Sequence, residues 1–130
     1  MACETSRLAI LGIGALESDT SGLIWTGYLN QKDRLWLQNK GSVGHMCAQH
    51  YDTNGRLLDA DLNKRVIGIG LETLRSIDTV VAVAGGQEKA RAILGAIRGK
   101  YIDILITDDQ AAQKLLELDT TIRTGNRVQL

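Results

Sequence analysis

The stretch Val80-Val-Ala-Val-Ala-Gly-Gly-Gln-Glu-Lys-Ala-Arg-Ala-Ile-Leu-Gly-Ala-Ile-Arg-Gly99 constrains this chain most. Five apolar residues, Val80 to Ala84, read as a buried strand because a short β-branched run bounded by turn residues suits a sheet interior. Gly85-Gly86 turn the chain. Ala90, Ile93, Leu94 and Ile97 then recur at helical spacing, with Glu88, Arg91 and Arg98 on other faces. Gly99 is a natural helix stop. A helix that begins after two glycines leaves backbone N–H groups bare, which is a ready anion site, and Lys89 adds a positive charge beside it. An acid is the usual residue at a helix start, so the lysine is unexpected there. An ordinary strand-to-helix corner with a solvated lysine fits the same spacing.

The rest of the chain builds around this unit. Tyr101 to Thr107 reads as the next strand. Thr107 then caps a helix through Leu118, with Gln110 at capping-box spacing. Strand 80–84, helix 87–98 and strand 102–107 make one βαβ unit with parallel strands and a right-handed crossover. Leu8 to Ile13 reads as another buried strand. Ala15 to Leu29 is an irregular polar loop after that strand's carboxyl end, where α/β sheets tend to hold ligands. Asn30 is placed to cap a helix over 31–40, closed by Gly41, with Leu35 and Trp36 as its core candidates. Residues 42–59 read as a β-hairpin, with a strand over Ser42–Tyr51, a turn at Asp52-Thr-Asn-Gly55 and a return at Arg56–Asp59. Val66–Ile69 is a short apolar run. Leu71–Ile77 is a short helix burying Leu71, Leu74 and Ile77. The tail from Asp119 is polar and expected to be loosely held.

Several functions are not supported. Fifteen basic and fifteen acidic residues cancel, so the chain has no electrostatic footprint for nucleic acid. Two cysteines, Cys3 and Cys47, read as reduced thiols. No apolar run is long enough to span a bilayer and no apolar signal core opens the chain, so a cytoplasmic location is expected. Gly12-Ile-Gly14 fails the dinucleotide fingerprint because Glu17 stands where its third glycine belongs. Neither a nucleophile elbow nor a P-loop is present. His45 and His50, five apart on one strand, point to opposite faces, so no metal site is expected, and no cofactor. Asp108-Asp109 fit a helix start through the helix dipole. Lys89 is the one candidate for carbonyl chemistry, but Schiff-base catalysis needs a depressed pKa and a positioned acid or base that the sequence does not display.

The run from Val83 to Asp108, with its Ala-Gly-Gly-x-x-Lys-Ala block and Leu-Ile-Thr-Asp ending, resembles the SorC family. Leu11–Gly14, Gly41–His45 with Tyr51–Gly55, and Leu62–Ile69 agree with it in order and spacing, so the resemblance covers residues 8–118. These are bacterial regulators of sugar metabolism, and the match falls in their carboxyl-terminal effector-binding domain. The resemblance implies a Rossmann-like α/β/α sandwich like that of glucosamine-6-phosphate deaminase and ribose-5-phosphate isomerase, here incomplete. It implies that residues 1–130 are the carboxyl-terminal part of a sugar-binding domain, with the DNA-binding domain absent from this chain.

Carried over residue by residue, Lys89 matches the family's ligand lysine and is expected at a phosphorylated sugar, with backbone help from Gly85 and Gly86. Gly14 belongs to a matching segment. His45 falls where relatives often carry an acid that accepts sugar hydroxyls. Thr26 and Gly27 fall where relatives also reach the ligand. The implied protein is no enzyme. Its effector shifts a homo-oligomer and the operator affinity of an upstream helix-turn-helix domain. A sugar-phosphate isomerase, deaminase or aldolase using Lys89, and a stand-alone oligomerisation module, are the alternatives.

Overall fold

The computed structural model describes residues 5–16, 23, 26–58 and 61–125, with side chains described as far as Asp119. Two small sheets organise it. Strands β1 (Leu8–Gly12), β5 (Thr79–Val83) and β6 (Ile104–Ile106) form a parallel sheet in the order β1-β5-β6. Strands β2 (Gly14–Ala15), β3 (Ser42–Met46) and β4 (Gln49–Asp52) form an antiparallel one. Helices α1 (Gln31–Asn39), α2 (Asp61–Lys64) and α3 (Leu71–Leu74) lie in the long connection from β1 to β5. Helix α4 (Ala90–Arg98) links β5 to β6, and α5 (Asp109–Gly125) follows β6.

The βαβ unit is present as expected, with Val81 opposite Ile104 and Val83 opposite Ile106. Its inner face puts Val80 and Ala82 into the core with Ala92, Ile93 and Ala96 of α4. The helix begins later than expected. Gln87–Lys89 first make one 3-10 turn, in which the Lys89 N–H donates to the Gly86 carbonyl at 3.0 Å. Ile97 is exposed. Ala92, Gly95 and Ala96 are buried instead, because α4 also packs against the hairpin. A Cβ at Gly95 would stand 2.7 Å from the Asp52 carbonyl and 2.9 Å from the Tyr51 ring, so the helix needs a glycine there to lie this close. Gly99 ends the helix with φ −71°, and Lys100 takes the left-handed conformation at φ +56°.

Other expectations change. The 42–51 stretch is two strands, not one. Cys47 and Ala48 form a tight turn at φ +50° and +60°, the conformation a two-residue hairpin loop requires. The later turn also forms, with Asn54 and Arg56 N–H both donating to Asp52 Oδ1 at 2.9 Å. Asn30 caps α1 in a full capping box with Asp33. Leu37, rather than Leu35 or Trp36, is the buried residue of that helix. Three consecutive apolar residues in a polar nine-residue helix do not fix its buried face. Leu37 joins Leu16 and Leu29 in a second small cluster.

Val66–Ile69 forms no strand, and Ile67 is fully exposed. Leu71, Leu74 and Ile77 are buried as expected. The carboxyl end is not a loose tail from Asp119, because α5 runs on to Gly125 and Asp119 lies 3.9 Å from Arg98. Strand β1 is not buried on both faces: Leu8 and Ile10 are exposed. The expected sandwich is represented by the parallel sheet and one covered face. Within the irregular loop after β1, residues 17–22, 24 and 25 lie outside the described residues, as does Cys3. No described helix is long and apolar enough to cross a membrane.

Candidate ligand site at the carboxyl edge of the parallel sheet

Parallel strands deliver their carboxyl ends to one edge, and in open α/β sheets ligands bind outside that edge. Here it is formed by Ile13-Gly14 after β1, Ala84-Gly85-Gly86 after β5 and Thr107-Asp108 after β6. Gly14 turns at once into β2 and pairs with His45 of β3. A Cβ on Gly14 would fall on the His45 imidazole, so the glycine gives the ring its space. His45 is partly buried and its Nε2 has no hydrogen-bond partner. Burial, and then the nearby Lys89 ammonium, push its pKa down to about 4. Lys89 is thus within electrostatic reach of the ring. Lys89 itself is half-buried.

His45 is also opposite His50 across the hairpin, with ring centroids 5.1 Å apart. The expectation that the two point apart fails because the chain reverses between them. His50 is 1% exposed, and neither of its ring nitrogens has a partner. Burial and the neighbouring His45 lower its pKa to about 4, against an opposing contribution from Asn63. Asn63 holds the His50 backbone: its Oδ1 accepts from His50 N–H at 2.9 Å, and its Nδ2 donates to the Leu58 carbonyl at 2.7 Å. The sequence carries no signal for this contact.

The Gly85-Gly86 turn already holds an anion. The Gly86 N–H donates to Asp108 Oδ2 at 2.6 Å, while Asp108 Oδ1 accepts from Ala111 N–H at 2.7 Å. Asp108, not Thr107, is therefore the cap of α5, and the Thr107 hydroxyl is buried without a partner. Gly86 has φ +95°, and a Cβ there would meet the Glu88 carboxylate. The bare N–H groups expected of this corner are thus partly taken up by the protein's own Asp108 carboxylate.

The structure brings together Gly14, His45 and Lys89, with Gly85 and Gly86 at the neighbouring strand end. Thr26 and Gly27 belong to a different neighbourhood. Gly27 turns the chain at φ +78°, and Thr26 Oγ1 donates to the Leu23 carbonyl at 3.4 Å. Leu23 and Leu29 line a mostly apolar cavity of about 520 Å³ with Leu62 and Val66, its polar residues being Tyr28, His50 and Arg65. This cavity ends at His50 and does not include Lys89. The strand-end cluster, where an ammonium meets orphaned imidazole nitrogens, is the better ligand site on chemical grounds. No group of three or more His, Cys, Asp and Glu side chains suited to a metal occurs among the described residues.

Residues 2–117 match the family model described as "Putative sugar-binding domain". The chain belongs to this family of sugar-binding domains of SorC-type regulators. It is 33% identical over 113 residues to the deoxyribonucleoside regulator of Bacillus subtilis (strain 168), covering 87% of this chain and 36% of that protein. Among solved structures it superposes on the sugar-binding domain of a transcriptional repressor from Vibrio fischeri with a TM-score of 0.79 at 32% identity. That match covers 90% of this chain and 47% of the other. The full-length sorbitol operon regulator SorC from Klebsiella pneumoniae superposes with a TM-score of 0.78 at 29% identity, covering 88% and 37%. The chain therefore spans little more than a third of these full-length regulators.

Proposed function

We propose that this chain is the carboxyl-terminal part of the effector-binding domain of a transcriptional regulator of carbohydrate metabolism, and that its effector is a phosphorylated sugar. The observation that carries the reading is the convergence at the sheet's carboxyl edge of Gly14, its strand partner His45, whose Nε2 is buried without a partner, and Lys89 within electrostatic reach of that ring. Lys89 has no carboxylate partner among the described residues, so the site favours an incoming anion. A neutral imidazole both donates and accepts, which suits a hydroxyl. An anion at Lys89 and hydroxyls at His45 describe a phosphorylated polyol. Gly85 and Gly86 allow close approach at the strand end, and Gly14 keeps the imidazole in place. The bound sugar then biases the oligomer and the operator affinity of a DNA-binding domain elsewhere in the regulator.

The test is calorimetric titration with phosphorylated and unphosphorylated pentoses and hexoses. Binding of one phosphorylated sugar, lost at least tenfold in Lys89→Ala and partly restored in Lys89→Arg, is the expected result. Affinity unchanged in Lys89→Ala overturns the assigned site. One observation favours a catalytic reading: neutral His45 beside Lys89 could move a proton during Schiff-base chemistry. Turnover of a sugar phosphate, with borohydride trapping at Lys89, would establish that reading in place of the regulatory one.

A further inference from the structure

The cavity of about 520 Å³ that runs from the loop after β1 to the hairpin turn is separate from the strand-end site, since Lys89 does not line it. Its volume is that of a small-molecule pocket, in which apolar walls carry a few polar groups that fix a ligand's orientation. The walls are aliphatic. The inner end is marked by His50, which is 1% exposed and whose Nδ1 and Nε2 are both buried without a partner. Asn63 bonds the His50 backbone, so the hydrogen-bonding capacity of the ring is left over. Orphaned nitrogens at the end of a cavity cost stability until a guest bonds to them.

The exposed members of the lining mark the mouth. Tyr28 is 76% exposed and Ile67 fully exposed, and Arg65 lies beside them in sequence and in the lining. Arg65 has no carboxylate partner among the described residues. No acidic side chain lines the cavity among the described residues.

This order of groups describes the occupant. A polyol fits poorly, because most of its hydroxyls would leave water for aliphatic walls. A cation would meet Arg65 with no acid to offset it. A guanidinium at the mouth of an apolar cavity suits a planar carboxylate, which it grips with two parallel hydrogen bonds. An imidazole with free nitrogens at the far end suits a hydroxyl, to which it can donate or accept. We propose that this cavity is a second small-molecule site, which takes an amphipathic hydroxy-carboxylate with its carboxylate at Arg65, its apolar body between the leucines and its hydroxyl at His50. The ring of His50 also faces His45, so such a ligand lies one imidazole away from the strand-end site. The proposal is independent of which ligand the strand ends hold.

The test is calorimetric titration of the chain with ω-hydroxyoctanoate, octanoate and octanol. The expected result is one ω-hydroxyoctanoate per chain, bound at least tenfold more tightly than octanol and more tightly than octanoate. Arg65→Gln, an exposed change, should weaken both acids at least tenfold and leave octanol unchanged. Ile67→Glu, also exposed, should weaken both acids by placing a negative charge at the mouth. His50→Leu should erase the preference for the hydroxy acid over octanoate. Lys89→Ala should bind the hydroxy acid as the parent chain does, and so should Ile10→Glu on the exposed side of β1. No saturable binding of ω-hydroxyoctanoate at millimolar concentrations would overturn the proposal. Binding that survives Arg65→Gln and Ile67→Glu but is lost in Lys89→Ala or Ile10→Glu would also overturn it, by placing the probe at the strand ends or on the sheet.

Discussion

His45 and His50 face one another across a two-residue turn, their ring centroids 5.1 Å apart and their planes inclined at 46°. Three of their four ring nitrogens are buried without a partner: His45 Nε2 and both nitrogens of His50. Burial and mutual proximity make a second charge unfavourable here, and Lys89 already supplies one positive charge nearby. The pair is thus a neutral, hydrogen-bond-capable wall to the site.

This neutrality makes stability depend on pH. Both histidines have pKa values near 4 in the folded chain against 6.5 in the unfolded one. Between those values the unfolded state binds more protons, so stability is fully present above pH 6.5 and declines as pH falls towards 4. Each tenfold difference in proton affinity between the two states corresponds to about 1.4 kcal/mol, so the buried His50 alone carries a loss on the order of 3 kcal/mol, and the more solvent-screened His45 adds less than that. Urea unfolding at about pH 7.5 and about pH 4.5, on either side of most of that window, should show it. His50→Leu should flatten the slope relative to the parent chain. An equal slope in both proteins would mean that other groups carry the acid sensitivity.

Gly14→Ala should disturb the ligand site through the ring it supports. The new methyl would overlap the His45 imidazole, so the ring must rotate or β2 must shift from β3. Over-packing of this kind costs about 1–3 kcal/mol. His45→Ala in the same chain removes the obstacle, so the double variant should recover most of that loss. A double-mutant cycle by chemical denaturation measures the coupling. Additive effects would show that Gly14 matters for a reason other than the ring.

Much of this arrangement is legible in the sequence, and what escapes it has a physical pattern. The parallel βαβ unit, the Asn30 helix cap and the Leu71–Leu74–Ile77 stripe rest on local periodicity and cap chemistry, and the structure contains them. The His45–His50 contact escapes because the turn at Cys47–Ala48 lacks the Gly or Asn that signals left-handed conformation. Without that signal, one long strand separates two rings that the hairpin joins. Leu37 escapes because a short run of three apolar residues has no period. The exposed side of β1 cannot be read from Leu8-Ala-Ile-Leu, since whether both faces of a strand are covered depends on chain that packs there. Lys89 is singled out by the glycine turn and helix start as well as by family resemblance, whereas His45 and Gly14 emerge through the resemblance alone. Their proximity is a product of β2 and β3, which bring the hairpin to the strand ends.

Asn63→Leu should be among the more damaging substitutions away from the ligand site. Asn63 is buried, and it satisfies His50 N–H and the Leu58 carbonyl. An apolar replacement of similar size fills the space but strands both groups. Leaving buried backbone groups unpaired costs about 1–3 kcal/mol each, so a total of about 3 kcal/mol is expected. The midpoint of urea unfolding should fall with the slope unchanged. Amide exchange at His50 should rise before that of β5, because the hairpin loses its anchor while the parallel sheet keeps its ladder.

Asp108 joins two corners of the site, and its two oxygens can be separated by substitution. Oδ1 caps α5 through Ala111 N–H, and Oδ2 holds Gly86 N–H in the turn that leads to Lys89. Asp108→Ala loses both contacts. A helix cap is worth about 1 kcal/mol, and a hydrogen bond to a charged group about 1.5–3 kcal/mol, so a loss of about 3 kcal/mol is expected. Asp108→Asn keeps one oxygen for the cap and turns an amide towards Gly86 N–H, where two donors meet. It should therefore lose less stability than Asp108→Ala while freeing the Gly86 turn to a similar degree. Hydrogen exchange distinguishes the two roles: in Asp108→Asn the Gly86 amide should exchange faster while that of Ala111 stays protected. Phosphorylated-sugar affinity should fall with Gly86 protection, because the turn sets where Lys89 leads into α4. Protected Gly86 in Asp108→Asn would mean that the turn holds its own shape and that Asp108 serves the helix alone.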